Sequence, residues 1–357
     1  MRDATLLLNR SALLHNASRV RSCAPNSRIL AMVKADAYGH GALYAAAVLA
    51  SQVDALGVAF LEEGLALRDA GISAPIVLME GVFNDYELAT ARALHMQPVV
   101  HQEMQLRLLE QAPQGAALTV WLKVNSGMNR LGFNPEEAVR AYYRLEACPG
   151  VGRIILCSHF ATADETDPTL TRKQISVMDA LLERLPALPC SLSNSAGILA
   201  WPQSHRQWVR PGIMLYGCSP FAGRSAGELE LQPVMTLRSR VIAVQSLSAG
   251  DSVGYGAGWR AVTDTRIAVI AIGYGDGYPR HARHGTPVLI QGKRFGLVGR
   301  VSMDMMTVEI GDNDIKIGDE AILWGDGLSA DEVAAFAGTI SYELFCRLTA
   351  RVERVWI

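Results

Sequence analysis

At 357 residues, with 33 Lys and Arg against 35 Asp and Glu, the chain carries a formal net charge of -2, which argues against a nucleic-acid or anionic-membrane partner and leaves room for one large unit plus a smaller one. Half the residues are hydrophobic, yet no run is long enough for a membrane span and the N-terminus lacks the form of a leader, so a cytoplasmic protein is expected. Six cysteines (Cys23, Cys148, Cys157, Cys190, Cys218, Cys346) stand without a CxxC pair, the pattern of reduced, buried thiols rather than of a disulfide frame or a metal site.

The segment "TLLLNRSALLHNASRVRSC" predicts a strand and a helix. From Arg28 to about Tyr216, short apolar β-type runs alternate with helical patterns. The predicted strands are 28–33, 55–59, 76–79, 97–100, 118–124, 154–158, 190–193 and a short one near 208–210. Among the helices between them are "LEEGLALRDAG", closed by Gly71, and "PEEAVRAYYRLEA", opened by Pro135 with acidic residues in its first turn. Strict alternation implies a parallel sheet, and eight units in about 200 residues is the count of a closed (β/α)8 barrel of the TIM type. A doubly wound open sheet gives the same local pattern, but no GxGxxG opens the first unit. After "GELELQPVMTLRSRVIAVQSL" the texture changes. The runs "TRIAVIAIGY", "TPVLIQGKRFGLVG", "DMMTVEIG" and "DEAILWGD", separated by Gly and Asp turns, predict a mostly antiparallel β-domain, interrupted by a helix at "SADEVAAFAG" and a helical turn at "SYELFCRL". The expected division is therefore a barrel over 1–230 and a β-domain over 231–357.

In such a barrel, chemistry gathers where strands end. Lys34 follows the first predicted strand, Lys123 ends the fifth, His159 follows the sixth, Asn194 and Ser195 follow the seventh, and Arg210 ends the eighth. Each has an ordinary reading alone: a loop charge, a core histidine, a strand cap. Together, two lysines, a histidine and an arginine on one rim imply an anionic ligand. A lysine closing the buried run "LAMVK" must be neutralised, paired or chemically engaged. In the second half, Tyr255 in "VGYGAGW" and Tyr274 in "AIGYGDGYPR" sit among glycines without apolar neighbours, as rings at an interface or a pocket mouth do.

Nine ordered blocks, "AMVKADAYGHG", "LKVNSGMNRLGF", "SHFATAD", "SNSAG", "RPGIMLYG", "VGYGAGW", "IGYGDGYPR", "VGRVSMDMMTV" and "SYELFCRL", together resemble the alanine racemase family of pyridoxal 5'-phosphate (PLP) enzymes over essentially the whole chain. The resemblance implies an N-terminal barrel, a C-terminal β-domain, and a head-to-tail homodimer whose active sites are shared between subunits. It implies interconversion of L- and D-alanine, for peptidoglycan supply or for alanine catabolism, and no metal. By the same resemblance Lys34 carries PLP as an aldimine, and the phosphate is held by Tyr38, Ser195, Tyr342 and the backbone amides of Gly212 and Ile213, beside Asn194. Arg210 faces the pyridine nitrogen and is hydrogen-bonded with His159. Lys34 and a partner-derived Tyr255 are the two bases, one on each face of the external aldimine. Arg130 holds the cofactor's phenolic oxygen and the substrate carboxylate, Met303 touches that carboxylate through its backbone amide from the partner chain, and Tyr274 and Asp304 line the entrance. Lys123 matches the lysine that is carbamylated in many relatives.

One departure stands out: the Asp-Thr often found before "GMNRLGF" in relatives is Asn125-Ser126 here. It removes a charge near Lys123, so it bears on carbamylation and on the placement of Arg130. Three other readings stay open at this point. A PLP decarboxylase of the same architecture would need a carboxylate where Arg210 stands. A broader-specificity or serine racemase would differ in its pocket walls. A non-catalytic PLP carrier would lack the β-domain and Tyr255.

Overall fold

The runs predicted as strands close on one another. In the computed structural model, which describes residues 4–113 and 115–357, strand β1 (Thr5–Leu8) and the helix Arg10–Cys23 precede eight parallel strands: β2 (Arg28–Met32), β3 (Ala55–Val58), β4 (Ile76–Leu78), β5 (Met96–Val100), β6 (Leu118–Lys123), β7 (Val151–Cys157), β8 (Cys190–Ser191) and β9 (Trp208–Val209). These form a closed barrel, and β2 pairs back onto β9 through Arg28 with Trp208 and Ile29 with Val209. Closure excludes the open-sheet alternative. Helices between the strands cover the outside, so each strand is buried on both faces, which is why the runs are apolar without alternation. Leu30, Val77, Val99, Trp121, Ile155 and Trp208 fill the interior, while Ile29, Leu56, Leu78, Val120 and Leu156 pack outward.

The second domain is built on the long strand β10 (Met235–Leu247). It is followed by the two-residue pair β11 (Ser252–Val253) and β12 (Trp259–Arg260), then β13 (Thr265–Ile270), β14 (Pro287–Ile290), β15 (Lys293–Val298), β16 (Met306–Glu309), β17 (Glu320–Trp324) and β18 (Glu353–Trp356). One sheet runs β13-β16-β15-β14-β17-β10-β1-β18, and β13 also returns to β10. Almost all of it is antiparallel, as the close-spaced turns predicted. The short helices Ala330–Phe336 and Ser341–Cys346 lie near its end, and the second brings Tyr342 and Cys346 to the barrel mouth.

The first strand is where sequence reasoning stopped short. β1 joins the second sheet, antiparallel to β10 and parallel to β18, although about 230 residues separate it from its neighbour β10 in the chain. The two ends of the chain are thereby stitched together. Among the described residues no helix is long and apolar enough to cross a membrane. All six cysteines are free thiols; four are buried, Cys23 is half-buried and Cys346 is exposed, so the expectation of uniformly buried thiols fails at these two.

Because Leu6 of β1 is fully buried between these elements, Leu6→Ala should cost about 2–5 kcal/mol, and the half-buried Leu7→Ala clearly less. Equilibrium denaturation of the two variants checks this.

Candidate active site

At the C-terminal end of the barrel strands lies a cavity of about 360 Å³. The positions expected from strand ends, Lys34, Lys123, His159, Asn194, Ser195 and Arg210, converge on it, and so do Tyr38, Arg130, Gly212, Ile213 and Tyr342, which the resemblance implied. Met32, Ala35, Met79, Glu80 and Cys346 line it as well and had not been anticipated. Four cationic side chains against the single acid Glu80 make it a site for an anion.

Lys34 opens the Gly-containing turn that follows the first barrel strand, and the hand of that turn is what local sequence does not announce. Ala35, Asp36, Ala37 and Tyr38 all lie in the left-handed helical region, with φ between 52° and 54°. For L-residues that conformation costs roughly 1–2 kcal/mol each, so it persists only where surroundings over-determine it. They do. The Glu63 carboxylate accepts the Ala35 N–H at 2.8 Å and the Ala59 N–H at 2.6 Å, and Asp36 accepts the Ala42 N–H at 2.7 Å. Arg354 of β18 donates to the Gly39 carbonyl at 3.2 Å. Gly39 itself has φ +78°, and a Cβ there would stand 2.2 Å from the Phe345 carbonyl oxygen. His40, fully buried, shares its Nδ1–H between the carbonyls of Ala37 (3.0 Å) and Tyr38 (2.9 Å). Burial holds its pKa down at about 4.

Tyr38 points from this turn toward the cavity, stacked on Tyr216 with ring centres 4.9 Å apart and tilted against Tyr342 at 5.8 Å. Burial pushes both Tyr38 and Tyr342 above the ordinary phenol range, so each keeps its proton and can donate it. Gly212 is required where it stands, because a Cβ would meet the Tyr38 hydroxyl at 2.5 Å. Ser195 Oγ accepts the Gly212 N–H at 2.9 Å and the Met214 N–H at 3.3 Å, which leaves its own proton for the cavity. Asn194 caps the short helix behind it by accepting the Gly197 N–H at 2.9 Å. Phenols, a hydroxyl and backbone beside a glycine form a cradle suited to a phosphate.

On the far wall stands Arg210, 4% exposed. It donates to Ser191 Oγ at 2.6 Å, to the carbonyl of Leu192 at 3.2 Å and to that of Ser158, and it approaches His159 Nδ1 at 3.2 Å. An arginine only donates, so His159 accepts through Nδ1 and carries its proton on Nε2. Burial and then the charges of Arg210, Lys123, Arg130 and Lys34 hold the His159 pKa well below its ordinary value, in keeping with that neutral form. Burial also lowers Lys123. At the departure from the family pattern, the Asn125 side chain accepts the N–H groups of Gly127 (3.1 Å) and Asn129 (3.0 Å), while the Ser126 hydroxyl is buried 2.7 Å from Ser158 Oγ. Among the described residues, no group of three or more His, Cys, Asp or Glu side chains is placed to hold a metal ion.

Tyr255, Tyr274, Met303 and Asp304 do not line this cavity within one chain. Tyr255 sits in the loop between β11 and β12 and is 70% exposed; Tyr274, Met303 and Met305 are exposed on the same domain. Asp304 pairs with Arg351 at 2.5 Å.

The profile described as alanine racemase, N-terminal domain, matches residues 8–220, and that described as alanine racemase, C-terminal domain, matches residues 234–356. The chain belongs to the alanine racemase family. It is 50% identical over 355 residues to the alanine racemase of Vibrio cholerae serotype O1, covering 99% of this chain and 98% of that one. It is 48% identical to the biosynthetic alanine racemase of Escherichia coli K12 over the whole of both chains. The crystal structure of the biosynthetic alanine racemase from Pseudomonas aeruginosa superposes with a TM-score of 0.97 at 44% identity, covering both chains completely.

The buried histidines make the alanine racemase fold of this chain acid-sensitive between about pH 6.5 and 4. His40 takes up a proton near pH 6.5 when unfolded but near pH 4 when folded, so its stabilisation is complete above about 6.5 and is lost as pH falls toward 4. The loss is roughly 3 kcal/mol, with His159 adding in the same direction. Denaturation midpoints between pH 7 and 4 should fall accordingly, and less steeply in His40→Gln.

Proposed function

We propose that this protein interconverts L- and D-alanine using pyridoxal 5'-phosphate bound at the barrel mouth, as a homodimer in the cytoplasm. The observation that carries the reading is the cavity pairing a strand-end lysine, Lys34, with a buried arginine, Arg210, held by neutral groups. The residues present fit the cofactor. Tyr38, Ser195, Tyr342 and the amides of Gly212 and Ile213 would hold its phosphate beside Asn194, Lys34 its aldehyde carbon, Arg130 its phenolic oxygen, and Arg210, backed by His159, its ring nitrogen. When bound, the cofactor withdraws electrons from the substrate's α-carbon and so makes the α-proton removable.

The chain's residues then divide the proton work. Lys34 Nζ serves one face of the α-carbon and the partner subunit's Tyr255 Oη the other; one takes the proton, the opposite group returns one, and the configuration inverts. Arg210 cannot give its proton to a ring nitrogen, which keeps electron withdrawal moderate and favours return of the proton to the same carbon. A decarboxylase of this architecture would need a carboxylate there. Arg130, with the amide of the partner subunit's Met303, would orient the substrate carboxylate, and Tyr274 and Asp304 would line the entrance. Lys123, with its depressed affinity for a proton, suits carbamylation as a means of positioning Arg130. The exposed side chains of Tyr255, Tyr274, Met303 and Met305 on the β-domain support a dimer that covers them. The same reading divides the chain into a barrel over 1–230, β1 excepted, and a β-domain over 231–357.

Chiral chromatography of L-alanine incubated with the protein and PLP should show both enantiomers in equal amounts at equilibrium; unchanged L-alanine with PLP bound would refute the reading. Lys34→Ala should abolish the visible absorbance of the lysine-bound cofactor. Tyr255→Phe should slow racemisation at least ~100-fold while solvent exchange of the α-proton survives for one enantiomer only; exchange retained equally for both would remove Tyr255 as a base. Gly212→Ala, which displaces the Tyr38 hydroxyl, should weaken PLP binding by about tenfold in an absorbance titration.

A further inference from the structure

Gln174 has no part in the chemistry above, yet it is fully buried in the helix Thr169–Leu182, among Ile175, Met178 and Leu181. A glutamine in such company must spend its hydrogen bonds, and this one spends them on two loops of the site. Its Nε2 donates to Ser126 Oγ at 3.1 Å and to the His159 carbonyl at 2.9 Å, and its Oε1 accepts the Ala161 N–H at 3.0 Å. The bonding beyond it has a fixed direction. Ser158 Oγ donates to the Val124 carbonyl at 2.8 Å, so the 2.7 Å contact between Ser126 and Ser158 is a donation from Ser126, which accepts from Gln174. Donation therefore runs from Gln174 to Ser126, from Ser126 to Ser158, and from Ser158 to the Val124 carbonyl, which ends the chain as an acceptor. The Ser158 carbonyl and the His159 ring are two of the groups that hold Arg210, and Ser126 opens the turn that leads to Arg130.

We propose that Gln174 is a positioning residue whose single amide ties the His159 loop to the Ser126 turn, and so sets how the Arg210–His159 pair and Arg130 stand relative to each other at the cavity. Its kinetic consequence rests on the proposed racemase reading; its consequence for the environment of bound PLP does not need turnover. A bare helix anchor would need to reach only one loop, whereas these bonds reach two. Thr171 supplies that comparison: it is equally buried on the same helix, and its Oγ1 lies 3.2 Å from Thr162 Oγ1.

The test compares the full-length wild type with Gln174→Glu, which keeps the shape but loses the NH2 that donates to both loops at once, Gln174→Leu, and Thr171→Val. PLP binding is followed by the visible absorbance of the lysine-bound form, together with its midpoint in a pH titration, the thermal midpoint of the apoprotein, and kcat and KM for L-alanine. The expected result is a shifted pH midpoint and a kcat lowered by about 10 to 100-fold in both Gln174 variants, with Thr171→Val losing thermal stability only. If the Gln174 variants lose thermal stability but match Thr171→Val in pH midpoint and kcat, the residue is a structural anchor and the proposal fails. Should Gln174→Leu not fold, Ser126→Ala removes one link of the same donor chain and must move the same two readouts in the same direction. A wild type that binds PLP without racemising alanine would sink the racemase reading and leave the pH midpoint to decide on Gln174. Absence of PLP binding would overturn both.

Discussion

Arg210 carries a full positive charge to a place where only 4% of it meets solvent, and the groups that receive it are neutral: the hydroxyl of Ser191, the carbonyls of Ser158 and Leu192, and the unprotonated nitrogen of His159. A buried charge without a counter-ion is tolerated only when dipoles saturate it. Satisfying it dictates much of the barrel mouth. β7 must deliver the Ser158 carbonyl and His159, and β8 must deliver Ser191 and Leu192, all within reach of the end of β9. Burial and then the same cation hold His159 neutral. On the proposed reading, Arg210 would leave the cofactor's ring nitrogen without a proton, which would separate racemisation from chemistry needing a stronger electron sink.

A second constraint acts on the opposite side. Four consecutive residues after Lys34 are held left-handed, and the groups holding them come from distant parts of the chain: Glu63 from the helix after β3, Phe345 from the helix Ser341–Cys346, and Arg354 from β18. The C-terminal sheet thus braces the turn carrying Lys34. β18 is itself held by β1, so the first strand of the chain contributes to the site through two sets of contacts. Joining the two ends in one sheet gives the Lys34 turn a rigid support that the barrel alone does not supply.

The residues lining the cavity all come from one chain, whereas Tyr255 and Met303 are exposed on the β-domain. A tyrosine with 70% of its surface in water gains nothing for folding, and its place in a glycine loop gives it freedom to fit a neighbouring surface. On the proposed reading, binding would fall to the barrel and the second base to the Tyr255 loop of the partner subunit in the proposed dimer.

Much of this was legible in the sequence, and for a definite reason. Parallel barrel strands are buried on both faces, so they appear as unbroken apolar runs, and the polar residue that ends each run marks the rim. Lys34, Lys123, His159, Ser195 and Arg210 were found that way, and motif order supplied the family. Other features depended on contacts that no local pattern encodes. Ala35 and Ala37 give no sign of a positive φ, since the groups that brace the turn, Glu63 and Arg354 among them, come from distant parts of the chain. β1, Thr-Leu-Leu-Leu, reads as one more short apolar strand, and nothing in it names β10 and β18 as partners. Gln174 looks like a polar break in a helix until Ser126, 48 positions away, and the His159 carbonyl are brought to its amide. The sequence by itself determined which elements form and which residues stand at their ends, because those follow from burial and periodicity along the chain. Only the tertiary structure decided how those residues are held, because the hydrogen bonds that hold them join segments that meet only after the barrel has closed.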